Sequence, residues 1–110
     1  MLIEIRAKGF TQTDEIRLHM ERRLGFALDR FTPRVRTVLV WIGDVNGPKR
    51  GADDKFCRLA VQLTHRRVVV EERAADLYVA IDRAAHRVSQ KIAREVKRTY
   101  KPVSSRFQAA

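Results

Sequence analysis

The stretch that decides the fold is DLYVAIDRAAHRVSQKIAREVKRTYK, residues 76–101. At about 100° per residue, its apolar side chains fall on one stripe, as in a helix that lies on an apolar surface. The stripe consists of Leu77, Ile81, Ala84, Ala85, Val88, Ile92 and Val96. The pattern therefore predicts a long amphipathic helix whose apolar side belongs to the core.

The same helix has a basic face. Its cations follow steps of three or four residues, so they gather roughly opposite the apolar stripe. We call this face the basic band, and it consists of Arg83, Arg87, Lys91, Arg94, Lys97, Arg98 and Lys101. Like charges at such spacing destabilise a helix by roughly 0.2 to 0.5 kcal/mol per pair, and Glu95 relieves them only in part. The band therefore indicates a function, and it favours an anionic partner.

Length and composition indicate one globular domain. A chain of 110 residues hides roughly two-thirds of its surface on folding, which provides an ordinary core. A net charge of +10 indicates a nucleic-acid partner first and an anionic membrane second. A membrane-surface helix would have to withdraw its apolar stripe from the core, so we favour RNA and expect no membrane partner.

The N-terminus and the cysteine content indicate a cytoplasmic protein. One cysteine cannot form an intrachain disulfide, and MLIEIRAKGF lacks the features of a signal peptide. No apolar run approaches the roughly 20 residues that cross a bilayer, because VLVWI is followed by Gly43 and Asp44.

The other elements follow from local patterns. Alternating or β-branched segments predict strands at residues 2–7, 35–45, 56–64 and 66–73. Apolar side chains at helical spacing follow the capping residue Thr13 as far as Phe31, which predicts a first helix that ends before Pro33. In the third strand, one face is apolar and the other consists of Arg58, Ala60 and Gln62.

The element order β-α-β-β-β-α predicts an α+β fold. We expect a four-stranded, mostly antiparallel sheet with both helices packed on one face, because only two helical faces are available to cover it. The other sheet face and the outer sides of the helices would remain in contact with water. Residues 1–101 are expected to form a single RNA-binding domain, and residues 102–110, which begin with a proline, a flexible tail.

The first helix adds cations beside an aromatic ring. Arg22, Phe26 and Arg30 lie at i, i+4 and i+8 away from its main apolar stripe, and Arg23 follows Arg22. An aromatic ring between arginines can stack on a base. The simpler interpretation, which we prefer, is that Phe26 packs beneath a loop.

The segment NGPKRG, residues 46–51, adds Lys49 and Arg50. Its glycines and cations could surround a phosphate, but it lacks the order G-x-x-x-x-G-K-[ST] and does not run directly into a helix. We therefore expect a mobile basic loop rather than a nucleotide site.

Catalytic and metal-binding patterns are weak. Cys57 lies on the apolar face of a strand and reads as a buried thiol. His19, His65 and His86 lie on three different elements, whereas a metal site needs them to converge. We expect no enzymatic activity, no cofactor, no metal and no small-molecule substrate.

Two stretches carry a resemblance to a known family. The segment DLYVAID, residues 76–82, preceded by RRVVVEERAA, residues 66–75, resembles the strand-to-helix junction of the ribosome hibernation promoting factor and ribosome-associated inhibitor family. The loop DVNGPKRGADDKFCRL, residues 44–59, is similar to that of one branch of this family. The order of elements agrees from Leu2 to about Tyr100.

The resemblance implies binding to the small ribosomal subunit, in the channel used by mRNA and the tRNA anticodon ends, and a block of translation in starved cells. It implies that the rRNA-facing side of the second helix carries Arg83, Arg87, Lys91 and Arg94. Further candidate contacts are Lys97, Arg98, Arg22, Arg23, Arg30, Lys49 and Arg50. The chain resembles the short forms of the family, so we expect no ribosome dimerisation through the C-terminal domain of the long forms.

The sequence thus predicts a ribosome-associated inhibitor or hibernation factor that acts by occupying the decoding channel. Phosphate contacts would supply affinity, and the uncovered sheet face could add contacts. The alternative is a stress-regulatory protein-interaction domain of the same fold that does not bind ribosomes. A continuous basic belt across both helices would favour RNA, whereas a broken belt that exposes Phe26 and Leu18 would favour a protein partner.

Overall fold

The computed structural model describes residues 2–9, 13–44 and 54–109, with side chains described as far as Lys97. The elements in chain order are β1 (Leu2–Lys8), α1 (Asp14–Leu28), a 3₁₀ helix (Asp29–Arg34), β2 (Val35–Asp44), β3 (Lys55–Leu63), β4 (Arg67–Ala74) and α2 (Leu77–Ala109). The predicted order β-α-β-β-β-α is confirmed.

The four strands form one sheet in the order β1-β2-β3-β4. β1 pairs with β2 in parallel, because α1 carries the chain back to the end of the sheet from which β1 began. The pairs β2–β3 and β3–β4 are antiparallel and joined as hairpins. The mostly antiparallel sheet with two helices on one face is as predicted.

The core lies between the sheet and the two helices. Alternate strand residues face the helices and are fully buried, among them Val40 in β2 and Leu59 in β3. The predicted stripe of α2 meets them: Ile81, Ala84, Ala85, Val88 and Ile92 are buried, and Leu77 and Val96 are partly buried. The apolar stripe therefore sets which side of α2 faces the sheet.

The first helix starts as predicted but ends earlier. The Thr13 hydroxyl accepts a hydrogen bond from the Ile16 backbone N–H at 3.2 Å, which caps the first turn. The α-helix ends at Leu28, and the chain continues as a 3₁₀ helix that contains Pro33. Proline lacks an N–H and disfavours α conformation in the residue before it, so the last turn tightens.

The second helix starts at Leu77, where the Asp76 carboxylate accepts a hydrogen bond from the Tyr78 N–H at 2.8 Å. It extends beyond the expected end at Lys101, through Pro102 to Ala109. Proline removes one N–H from the helical ladder without ending the helix here. The flexibility of residues 102–110 stays a prediction.

The sheet face away from the helices is less exposed to solvent than expected. Ala60 is only 2% exposed, although it lies on that face. Its direct neighbours across the sheet are Leu39 and Val69, which are partly buried. These three residues form an apolar row, so the face has an apolar centre.

Candidate nucleic-acid interface

The basic band of α2 lies on the outside of the protein. Because the apolar stripe faces β3 and β4, the opposite side of the helix is turned to solvent. The band residues with described side chains are all exposed: Arg83, Arg87, Lys91, Arg94 and Lys97. The candidate Arg98 lies beyond the described side chains. The structure thus places five candidate cations on one helix face.

Three of these cations also contact the edge of the sheet. β4 is an edge strand, and its outward carbonyl groups have no neighbouring strand. The Arg83 guanidinium donates a hydrogen bond to the Arg73 carbonyl oxygen at 3.4 Å. The Arg87 guanidinium donates one to the Glu71 carbonyl oxygen at 3.3 Å. The Lys91 ammonium donates to the Val69 carbonyl oxygen at 3.1 Å.

The residue spacings along α2 and β4 explain why successive cations reach alternate carbonyl groups. Four residues along a helix span about 6 Å, and two residues along a strand span roughly 6.6 Å. Successive cations on α2 therefore meet alternate carbonyl groups on β4. These contacts were not predicted, because the periodicity of a helix does not show which strand lies beside it. They protect the edge of β4 and fix the N-terminal part of the band to the protein itself.

The C-terminal part of the band, Arg94 and Lys97, has its charges available. Arg94 and Lys97 form no ion pair or hydrogen bond with any residue that the structure describes. Arg87, in contrast, forms an ion pair with the Glu72 carboxylate. The band therefore has two parts. Arg83, Arg87 and Lys91 form hydrogen bonds with β4, whereas Arg94 and Lys97 form no hydrogen bond or ion pair with a described residue.

The candidates on α1 differ from one another. Arg22 and Arg30 are exposed. The Nε atom of Arg23 lies 3.1 Å from the Asp82 carboxylate of α2, without forming a well-aligned hydrogen bond. The same Asp82 oxygen lies 2.8 Å from Nε2 of His19. Arg23 thus helps to join the two helices, which makes it a structural residue in addition to a candidate contact.

Phe26 is 84% exposed. The preferred interpretation, that its ring packs beneath a loop, is therefore wrong. The α-helix presents Phe26 on its outer side, together with Arg22 and with Leu18, which is 55% exposed. Arg30 places its guanidinium over the Phe31 ring, 4.7 Å from the centroid, instead of over Phe26. The outer side of α1 is consequently part apolar and part basic.

The basic loop between β2 and β3 contains Lys49 and Arg50, which lie outside the described residues. Its two ends are joined by Lys55, whose ammonium donates to the carboxylates of Asp44 at 2.9 Å and Asp54 at 3.2 Å. The hydrogen bond to Asp44 is the main cause of a raised pKa of Lys55, and the bond to Asp54 adds to it. This cluster was not predicted, although Asp44 and Lys55 flank the loop.

The residues considered for catalysis do not form a site in the part of the chain that the structure describes. Cys57 is fully buried, and burial raises the pKa of its thiol to about 12. His19 contacts Asp82 of α2, whereas His65 and His86 are exposed on a turn and a helix. No group of three metal-ligating side chains occurs among the described residues.

Cys57 should react very slowly with thiol reagents in the folded protein. A pKa of about 12, against an ordinary value of 9.0, lowers the thiolate fraction at pH 8 by roughly a thousandfold. Labelling with a chromogenic disulfide at pH 8, with and without denaturant, measures this difference. Rapid labelling of the native protein would show that β3 opens readily.

The sequence profile of the Sigma 54 modulation protein / S30EA ribosomal protein family matches residues 3–99. The chain belongs to this family. It is a family of ribosome-associated proteins and not an enzyme family. Within the described residues, no helix of this family member has the length and apolarity needed to cross a membrane.

Two solved structures are similar to this S30EA family chain. The N-terminal domain of Thermus thermophilus Protein Y is 29% identical, with a TM-score of 0.72, and the match covers 86% of this chain and 98% of that one. A ribosomal subunit interface protein from Coxiella burnetii is 14% identical, with a TM-score of 0.74 and coverage of 88% and 99%, which supports the fold alone. None of the curated proteins compared with the chain matches it significantly.

Proposed function

We propose that this protein is a cytoplasmic translation inhibitor, or hibernation factor, that binds rRNA of the small ribosomal subunit in the channel for mRNA and tRNA. The contacts would be made by the basic outer faces of α1 and α2. The observation that carries the proposal is the exposure of Arg94 and Lys97, two cations without a partner among the described residues, on a member of a ribosome-associated family.

The acidic residues near the band support this proposal. Asp82 is paired with Arg23, Glu72 with Arg87, and Glu95 with Arg66 at 3.3 Å. These carboxylates are thus compensated by intramolecular cations. A phosphate group that approaches the outer face of α2 would meet net positive charge, which is the main source of affinity for RNA.

The proposed mechanism is steric. Phosphate contacts carry no sequence information, so the shape of the channel would determine where the protein binds. The core holds both helices against the sheet, and the cation contacts along β4 also fix α2, which reduces the entropy lost on binding. A rigid domain in the decoding channel would exclude mRNA and tRNA without any chemical step.

A second candidate function rests on α1. Leu18 and Phe26 are exposed beside Arg22, and a mixed apolar and basic helix face suits a protein partner. This observation favours the alternative of a stress-regulatory interaction domain. The exposed Phe26 ring fits the first proposal as well, because an aromatic ring can stack on an unpaired base.

Sedimentation with purified ribosomal subunits tests the proposal. We expect the protein to sediment with small subunits at low salt and to dissociate as the salt concentration rises. It should also inhibit protein synthesis in a cell-free translation extract when its concentration equals that of the ribosomes. Large subunits provide the control for non-specific attraction to rRNA. Equal sedimentation with both subunits, or none with either, would contradict the proposal and support the protein-interaction alternative.

A further inference from the structure

We propose that the helix-free face of the sheet is a second RNA-binding surface, which holds a single strand of RNA by stacking its bases on Trp41 and Phe56. We call this face the sheet platform. It lies on the side of the sheet opposite α1 and α2, so it does not share residues with the basic band. The inference rests on the geometry of the sheet and is independent of the binding of rRNA by the helices.

Strand register brings the two aromatic rings together. Trp41 of β2 lies opposite Arg58 of β3, and Gly43 lies opposite Phe56. Trp41 and Phe56 are therefore diagonal neighbours on one face, at a spacing that aromatic side chains can bridge. Both rings are partly exposed, and both line one shallow depression on the sheet. Two adjacent rings on a sheet can stack successive bases.

The ring of Phe56 packs over the backbone of Gly43. A Cβ atom at Gly43 would lie 2.5 Å from the Phe56 ring, so the ring occupies the space above the glycine backbone. The ring thereby covers an otherwise exposed section of β2, and the packing fixes its orientation. A ring fixed in this way loses little entropy when a base stacks on its other side.

Cations surround the two rings. The Arg58 guanidinium lies over the Trp41 ring, 5.6 Å from its centroid, and Arg6 is the neighbour of Trp41 on β1. Arg73 is the neighbour of Phe56 on β4. The cations of the platform are Arg6, Lys8, Arg58, Arg67 and Arg73, whereas its acids are Glu4 and Glu71. Asp44 adjoins the platform beside Phe56 and is paired with Lys55. One of the acids, Glu71, is paired with Arg73 at 3.7 Å.

This combination favours single-stranded RNA over other occupants. A duplex hides the faces of its bases, whereas an unpaired strand offers bases to the rings and phosphates to the arginines. A second copy of this chain would bring the same excess of cations against the platform, which opposes association. Arg58 can remain in the stack, because guanidinium planes stack on bases as aromatic rings do.

The sole tryptophan makes the platform directly observable. Trp41 is the only tryptophan of the chain, so its fluorescence reports on this face alone. We expect an unstructured ten-nucleotide oligouridylate to quench the emission of the full-length protein, and an RNA duplex of equal charge to quench it much less. Absence of quenching by the single strand, while labelled strand is bound as measured by polarisation, would overturn the proposal.

Substitutions separate stacking from charge. Trp41→Phe should bind the labelled strand within about threefold of the original protein, because it keeps an aromatic ring, whereas Trp41→Leu with Phe56→Leu should lose at least about tenfold. Arg94→Glu with Lys97→Glu should leave the Trp41 quenching in place. Circular dichroism checks that each variant is folded.

Three results would contradict stacking on this face. In a folded Trp41→Leu, Phe56→Leu variant, unchanged affinity would show that the rings take no part. Loss of quenching in the Arg94→Glu, Lys97→Glu variant would show that RNA reaches Trp41 only through the helices. A third result would be quenching of Trp41 that depends on the protein concentration and not on the RNA concentration, together with dimers in sedimentation velocity. It would identify a second copy of the chain as the occupant.

Discussion

Replacement of Arg94 and Lys97 together by glutamate is expected to release the protein from small ribosomal subunits while it remains folded. Neither side chain forms a hydrogen bond or an ion pair with another described residue, so their reversal breaks no such interaction. Each lost phosphate contact should reduce the dependence of log K on log salt by about 0.7 to 0.9, so two contacts should flatten the slope by roughly 1.4 to 1.8. Sedimentation across a salt series should also show affinity lower by orders of magnitude at moderate salt, since the new carboxylates repel phosphates.

A matched variant separates this effect from net charge. Arg17→Glu with Arg36→Glu makes the same change in net charge at two exposed positions outside the band, and the exposed ion pair between Arg17 and Glu21 that it removes contributes little to stability. It should weaken binding much less, because diffuse charge speeds encounter whereas positioned cations make the contacts. Equal losses from both variants would show that net charge alone attracts the protein to RNA. Full binding by the Arg94 and Lys97 variant would show that another face is the interface.

The other cations of the band give a less clear test. Reversal of Arg87 would leave Glu72 without its partner and place a carboxylate beside the Glu71 carbonyl oxygen. Reversal of Lys91 would place a carboxylate beside the Val69 carbonyl oxygen. These variants are expected to weaken the contact between α2 and β4, so a loss of binding would combine two causes. The contacts of the structure thus determine which part of the band can be tested by itself.

Truncation of Leu59 to alanine is expected to cause a large loss of stability. Leu59 is fully buried on the helix-covered face of β3, with Val40 of β2 and Val70 of β4 as its neighbours across the sheet. Removal of a buried leucine side chain costs about 2 to 5 kcal/mol, compared with a total stability of roughly 5 to 15 kcal/mol for a typical domain. Urea unfolding followed by the fluorescence of Trp41 measures the change.

Leu18 provides the control for this substitution. It is the same residue type on α1 with its side chain 55% exposed, so Leu18→Ala should change stability by no more than about 0.5 kcal/mol. A similar loss at both positions would mean that Leu18 is covered in solution, for instance by another copy of the chain. A small effect at Leu59 would show that the core repacks around the cavity.

Most of the fold could be predicted because its signals are local. The apolar stripe of α2, the cap at Thr13 and the alternation in β3 each depend on residues close in the chain. These patterns predicted the element order and the buried side of each element. The end of α1 at Leu28 was less predictable, since the tightening of the chain ahead of Pro33 competes with a continuing apolar repeat.

The candidate site could be predicted only in part. The sequence by itself determined that α2 has a basic outer face, because helical periodicity places those cations together whatever surrounds them. Only the tertiary structure decided that β4 engages Arg83, Arg87 and Lys91, that Arg23 joins the helices, and that Phe26 is exposed.

The meeting of Trp41 and Phe56 on the sheet platform was likewise decided by the pairing of strands. Periodicity specifies the direction in which a side chain points from its own element. The neighbour that it meets there depends on the register and packing of distant segments, which no local pattern encodes.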